Sequence, residues 1–224
     1  MKNKNTTYLE INGIRYAGWE SIRIERSMET LSGAFSLEVT DRWMDNSKLP
    51  LIKPDDLCRV RIDEDVLITG YVDEVNPSLD ANSHTIEITG RDFSGDLVDC
   101  SVAKNVRQNG KLEQIVGELV APYAGIKVIP QVDTGEAFSK FLVEQGDSVF
   151  EAIQRLCKLR AILALSDGKG NIILTTAGQN QSNTALVQGK NIKSIKRTNS
   201  HKERFSEILV KGQSPDSDHV SAKV

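Results

Sequence analysis

Apolar and polar residues alternate with period two through most of the first hundred positions. Thr7 to Ile11 and Ile14 to Tyr16 flank Asn12-Gly13, a pair that accepts the positive φ angles of a tight hairpin turn. Ile22 and Ile24 alternate with Arg23 and Glu25, and Phe35, Leu37 and Val39 alternate with Ser36, Glu38 and Thr40. Cys58, Val60 and Ile62 share one parity, as do Val66, Ile68 and Val72, and then Ile86 and Ile88. This spacing puts apolar side chains on one sheet face and polar ones on the other. Such strands separated by turns predict a sandwich or barrel.

The period then lengthens. Leu112, Ile115, Val116, Leu119 and Val120 form the stripe of an amphipathic helix that Pro122 and Gly125 end. Ile126 to Ile129 reads as a short strand. Ser148 to Glu151 has capping-box spacing, in which Ser148 and Glu151 satisfy exposed N–H groups at a helix start. Val149, Ala152, Ile153, Leu156 and Cys157 form the inner stripe of that helix. Strands at Ile162 to Ser166 and Ile172 to Thr175 follow, joined by a Gly-rich turn. Gln179 to Thr184 is a polar linker, Ile192 to Ile195 and Phe205 to Lys211 read as strands, and Ser214 to Val224 reads as a polar tail. Two strands cannot close a barrel, so these are expected to join another sheet or belong to a chain cut short. The expected class is α+β, mainly β. The expected divisions are a first β-barrel domain at 1–104, a small α/β insertion (helix–strand, helix–hairpin) at 105–178, and a linker with the opening strands of a second, incomplete barrel at 179–224.

Composition adds limits rather than identity. The 224 residues are 39% hydrophobic and 26% charged, enough to bury a core without disulfides or metals. Aromatics are only 5%, so that core must rest on Val, Ile and Leu. The net charge is −3, yet residues 190–211 hold seven Lys/Arg against two Glu. A basic stretch invites a nucleic-acid reading, but Phe205 alone interleaves it as an aromatic. A solvated face or a subunit contact is favoured instead. Cys58, Cys100 and Cys157 are scattered, which argues against a disulfide framework or zinc site and fits a reducing cytoplasm. Met1 to Thr7 is polar and the longest apolar run, Ala161 to Leu165, is short, so neither a signal peptide nor a membrane anchor is expected.

Candidate chemistry fails residue by residue. His84, His201 and His219 lack metal-ligand spacing, and Asp63-Glu64-Asp65 sits where a turn between strands is expected. Asp92, Asp96 and Asp99 have helical spacing but no nucleophile nearby, and read as caps and surface. Phosphate-binding and nucleophile-elbow motifs are absent from the sequence. No enzyme activity and no cofactor are expected.

Two segments carry more than pattern. TGYVDEVNPSLDANSHTIEITGRDFSGDLVDCS at 69–101 resembles the first-domain core of the Mu-like phage baseplate hub family. FLVEQGDSVFEAIQRLCKLRAILALSDGKGNIILT resembles the middle of the same family, and ERFSEILVKGQ at 203–213 the start of its second barrel. The resemblance implies a structural hub of a contractile tail, with two related tail-tube-like barrels and an α/β insertion per chain. It implies a homotrimeric ring that joins a sixfold tail tube to a threefold spike, because a duplicated subunit presents sixfold-like edges. DNA would pass through that ring without sequence-specific binding. The place of work would be the virion baseplate, with assembly in the host cytoplasm. Gly90, Arg91, Asp92, Asp96 and Asp99 are expected to shape the exit from the first barrel, with Arg91 paired to a carboxylate. A Gly90→Val change is expected to harm folding if the backbone there takes a positive φ.

Three alternatives remain. Val143 to Ser148 followed by an apolar helix resembles the opening of a LysM peptidoglycan-binding module. A type VI secretion spike-like hub is a second form of the hub reading. A tail-associated cell-wall hydrolase ranks below both, since it lacks a catalytic set.

Overall fold

Asn12 and Gly13 adopt φ values of 51° and 78°, so the first expected hairpin forms, with β1 (Thr7–Ile11) antiparallel to β2 (Ile14–Tyr16). The computed structural model describes residues 6–40, 52–81, 83–102, 109–123, 125–178, 183–192, 194–202, 204–207, 209–214 and 217–223. Five more strands complete the first sheet: β3 (Ser21–Glu25), β4 (Ala34–Thr40), β5 (Leu57–Ile62), β6 (Asp65–Leu79) and β7 (His84–Asp92). Their order is β2-β1-β5-β6-β7-β4-β3 and every pairing is antiparallel. The expected alternation appears directly, with Phe35, Leu37 and Val39 buried between partly exposed neighbours.

Of the expected barrel, the described residues show the sheet but not its closure. Among the described residues β2 and β3 are the outermost strands of one sheet, and no sheet closes. The apolar face is nonetheless dry: Leu9, Leu37, Val60, Ile68 and Val72 are fully buried. Their cluster is made of the sheet's own strands with Ile52 and Trp19.

Two bulges bend β6. Val60 pairs with Ile68 but Arg61 with Val66, leaving Leu67 as an extra residue. Val72 pairs with Gly90 but Glu74 with Thr89, leaving Asp73 extra. A bulge increases local twist and re-aims the extra residue. The alternation also changes parity there: Val72 is buried and Val75, not Glu74, packs next against the core.

Beyond β7 come α1 (Gly95–Asp99), α2 (Leu112–Val120), β8 (Lys127–Pro130), α3 (Val149–Lys158), β9 (Leu163–Ser166) and β10 (Asn171–Thr175). β10 runs parallel to β8 and antiparallel to β9. All five stripe residues of each long helix are buried in a second core, joined by Leu31 and Leu97. The α3 cap is reciprocal: Ser148 Oγ accepts from Glu151 N at 3.2 Å, and Glu151 Oε2 accepts from Ser148 N at 2.8 Å. Ser148→Ala should cost ~1 kcal/mol, read as a lower urea midpoint; an unchanged midpoint would show that the cap contributes nothing.

Residues up to Gly178 form one compact unit and those from Gln179 a second. In the second, β11 (Leu209–Ser214) pairs with β12 (Ser217–Lys223). Two expectations are corrected. Ile192 makes only an isolated bridge to Gln188, and residues 194 and 195 are outside any strand. The segment expected as a polar tail contains β12, because backbone pairing to β11 needs no apolar side chains. Residues 103–108, where the 104/105 boundary was expected, and linker residues 179–182 lie outside the described residues, as do Lys193 and Glu203 of the basic segment.

Candidate functional site

The residues singled out in the sequence meet where β7 ends and the second core begins. Gly90 lies in the middle of the sheet, paired with Phe35 on β4 and Val72 on β6. A Cβ there would lie 2.3 Å from the Tyr71 carbonyl oxygen and 2.5 Å from the Phe35 ring. Gly90 is not among the positive-φ glycines, so the conditional reason given from sequence is replaced. The glycine is required by the ring packed over it, a close approach that strand glycines often mark. Gly70, which sequence reasoning passed over, is tighter still: its Cβ would lie 2.0 Å from the Arg91 carbonyl oxygen. An isolated glycine inside a strand pattern was the available signal.

Arg91 bridges two carboxylates. Its Nε lies 2.8 Å from Asp73 Oδ2, the bulge residue of β6, and its Nη2 lies 2.7 Å from Asp99 Oδ2 at the end of α1. The expected pairing therefore includes Asp99, while Asp73 was not foreseen because the bulge that re-aims it marks the sequence only by a break in parity. Asp96 sits exposed in the first turn of α1, where a negative charge suits the helix N-terminus.

Arg91 holds the Asp99 carboxyl below its usual range through their hydrogen bond, and Asp99 in turn raises Arg91. A depressed carboxylate stabilises the fold above its unfolded pKa and loses that contribution as pH falls through its folded pKa. The wild-type protein should therefore lose stability on acidification below the ordinary carboxylate range, and Arg91→Gln should flatten this dependence. Thermal melts across that range at low ionic strength are the test. Parallel curves for the two proteins would remove the pair as a source of the slope.

Asp92 departs furthest from expectation. It is not on the helical face with Asp96 and Asp99 but is the last residue of β7, and only 3% exposed. The expectation of a cap or surface residue is corrected for it. Oδ1 accepts from Ser32 Oγ at 3.2 Å, from Ser94 N at 3.0 Å and, more closely, from Ser94 Oγ. Oδ2 accepts from Gly33 N at 3.0 Å and from Ser166 Oγ at 2.7 Å. These donors come from the segment before β4, the start of α1 and the end of β9. Helical spacing misled because β7 continues to Asp92 before the chain turns into α1.

Two further contacts fasten the same seam. Arg26 Nη2 donates to the Ser166 carbonyl at 2.9 Å. Gly168, at φ 71°, brings the β9–β10 turn so close to Leu67 that a Cβ would lie 2.0 Å from the Leu67 carbonyl oxygen. The turn is itself held by Asp167, which accepts from Lys169 N and Asn171 N at 2.7 and 3.0 Å. The bulge at Leu67 and the glycine at 168 thus fit each other.

The chemistry of this site is attachment. Its serine hydroxyls are spent as donors to Asp92, and no histidine takes part in these bonds. Among the described residues no group of His, Cys, Asp and Glu could hold a metal, and no helix is long and apolar enough to cross a membrane. Cys58 and Cys157 are buried and their thiols are pushed up to about 12 by burial, far from a reactive thiolate.

Comparison with known proteins divides the chain at this same seam. Residues 6–92 match the family described as Mu phage baseplate assembly protein GpP-like, N-terminal. Residues 94–176 match the second domain of the baseplate hub protein gp44-like family. The chain is 30% identical over 228 residues to baseplate hub protein gp44 of Escherichia phage Mu, covering 98% of this chain but 59% of that protein. It is 36% identical to the 43 kDa tail protein of prophage MuSo2 from Shewanella oneidensis, with a TM-score of 0.85 over 98% of this chain and 67% of that one. A tail protein from Neisseria meningitidis MC58 shares the fold at a TM-score of 0.83 and 20% identity, covering 99% of this chain and 67% of its own. With both domain families matched in order on either side of Phe93, the chain belongs to the Mu-like phage baseplate hub family.

Proposed function

We propose that this chain is a non-catalytic hub of a contractile phage tail baseplate, working as a homotrimeric ring between a sixfold tail tube and a threefold spike. The observation that carries this reading is the seam at Asp92, because it binds the two hub-family segments into one body. A hub must hold fixed surfaces toward different neighbours, and buried hydrogen bonds fix such surfaces better than a flexible linker. The proposed organisation is a first tail-tube-like barrel domain to residue 104, the α/β insertion from 105 to 178, and the opening of a second barrel from 179. The chain spans 59% of the length of the phage Mu relative. Each intact subunit would present two barrel edges to the ring, matching six tube subunits with three chains.

The place of action is the virion baseplate, after assembly in the host cytoplasm, with DNA passing through the ring unread. The LysM reading loses ground because α3 leads directly into the β9–β10 hairpin, without the second helix that such a module needs.

The test is to produce phage particles with the gene for this chain deleted and inspect them by electron microscopy. Absence of assembled baseplates and tails, restored by supplying the gene, supports the hub. Intact tails without this protein would overturn it, as would cell-wall hydrolysis by the purified chain for its non-catalytic part.

A further inference from the structure

The outer face of the first sheet is unevenly charged. In register across β4 and β7, Glu38 stands directly opposite Glu87. Glu74 on β6 lies one row away, opposite Thr89 of β7. Like charges facing each other across strands are destabilising, so this arrangement is costly in a lone subunit. Arg23 and Arg91 share that face, but Arg23 is bound by Glu25 and Arg91 by Asp73 and Asp99. Ser36 donates to Glu87 at 2.7 Å, and Asn76 to Glu74 at 3.1 Å, neither bringing positive charge.

The second unit carries the opposite pattern. Lys190, Lys196, Arg197, Lys202 and Arg204 are all exposed. Ile195 and Phe205, interleaved with them, are 77% and 70% exposed. A phosphate backbone needs the cations but offers nothing to large apolar side chains. A protein surface with carboxylates and aliphatic stems uses both.

We propose that the basic segment around Lys196–Arg204 of one copy docks on the Glu38–Glu74–Glu87 face of a second copy. This rests on the ring reading, which sets copies side by side, and it names the charged surfaces through which they meet. The contact sets cations against the paired glutamates, and it covers Ile195 and Phe205. Electrostatic complementarity of this kind fixes the register of copies as well as their affinity.

The test is self-association of the full chain, followed by light scattering over a concentration series in low salt and again in high salt. Self-association is expected in low salt and should weaken at least about tenfold in high salt. Lys196→Glu with Arg197→Glu should weaken it by a similar factor, as should Glu38→Lys with Glu87→Lys. Placing all four changes in one chain should restore it toward wild type, which no simple loss of folding would do. Glu38→Gln with Glu87→Gln guards against misfolding, since it removes the charge without adding a new one, and should also weaken association. A wild-type chain that stays monomeric in low salt overturns this contact, as does association indifferent to both reversals. The hub reading is judged separately by particle assembly, so either can fail alone.

Discussion

Replacing Asp92 with alanine is expected to destabilise the unit ending at Gly178 by ~3–5 kcal/mol, among the largest effects of any single polar substitution in the chain. The carboxylate is buried and accepts from Ser32, Gly33, Ser94 and Ser166. Alanine would leave the Gly33 and Ser94 N–H groups without their acceptor, each costing about 1–3 kcal/mol. Serine hydroxyls can rotate toward other acceptors; backbone N–H groups cannot. Asparagine separates shape from charge. With its amide nitrogen in the Oδ2 position it would face the Gly33 N–H donor to donor, while Ser166 could turn and accept. Asp92→Asn should therefore cost about 2 kcal/mol, less than alanine. A double-mutant cycle with Ser166→Ala, followed by urea denaturation, isolates the link between the sheet and the insertion. Additive losses in that cycle would show that Asp92 stabilises only its own side of the seam. An alanine variant within ~1 kcal/mol of wild type would show that the buried network adds little.

The parts of this fold that were legible in the sequence are those whose cause lies within a few residues. Asn12-Gly13 specifies its own turn, and the stripes Leu112–Val120 and Val149–Cys157 specify both helices and the faces they bury. The seam was not legible in the same way. Gly90, Arg91 and Asp92 stand out in sequence, but what they touch is set by topology: Ser166 is 74 positions from Asp92 and Ser32 is 60. Asp73 joins Arg91 only because β6 bulges there, and a bulge leaves no pattern beyond a break in parity. β12 escaped notice for the opposite reason. Its sequence is polar enough to pass for a tail, and strand pairing rather than apolar periodicity organises it. Barrel closure is illegible for a further reason, since alternation reports which face of a strand is buried but not whether the last strand meets the first.

Gly90→Val should cost ~3 kcal/mol or more, and here the reason matters as much as the size. The backbone at Gly90 is ordinary strand, which valine adopts readily and even favours. Local propensity alone therefore predicts a neutral or stabilising change. Packing predicts the reverse, because the first side-chain carbon would already overlap the Phe35 ring at 2.5 Å and the Tyr71 carbonyl at 2.3 Å. Gly90→Ala places that same carbon and should lose much of the same stability, whereas a φ-driven penalty would have no reason to respond to the ring. The discriminating experiment is Phe35→Leu in the Gly90→Ala background. Alone, Phe35→Leu removes buried aromatic area from the first core and should destabilise. Combined with Gly90→Ala, it should cost less than the sum of the two, because the shorter side chain vacates space that the new methyl needs. Melting temperatures of the four proteins decide it. Strict additivity would mean that the Tyr71 carbonyl, not the ring, sets the limit, and a Gly90→Ala protein melting like wild type would mean that the sheet yields at this point at little cost.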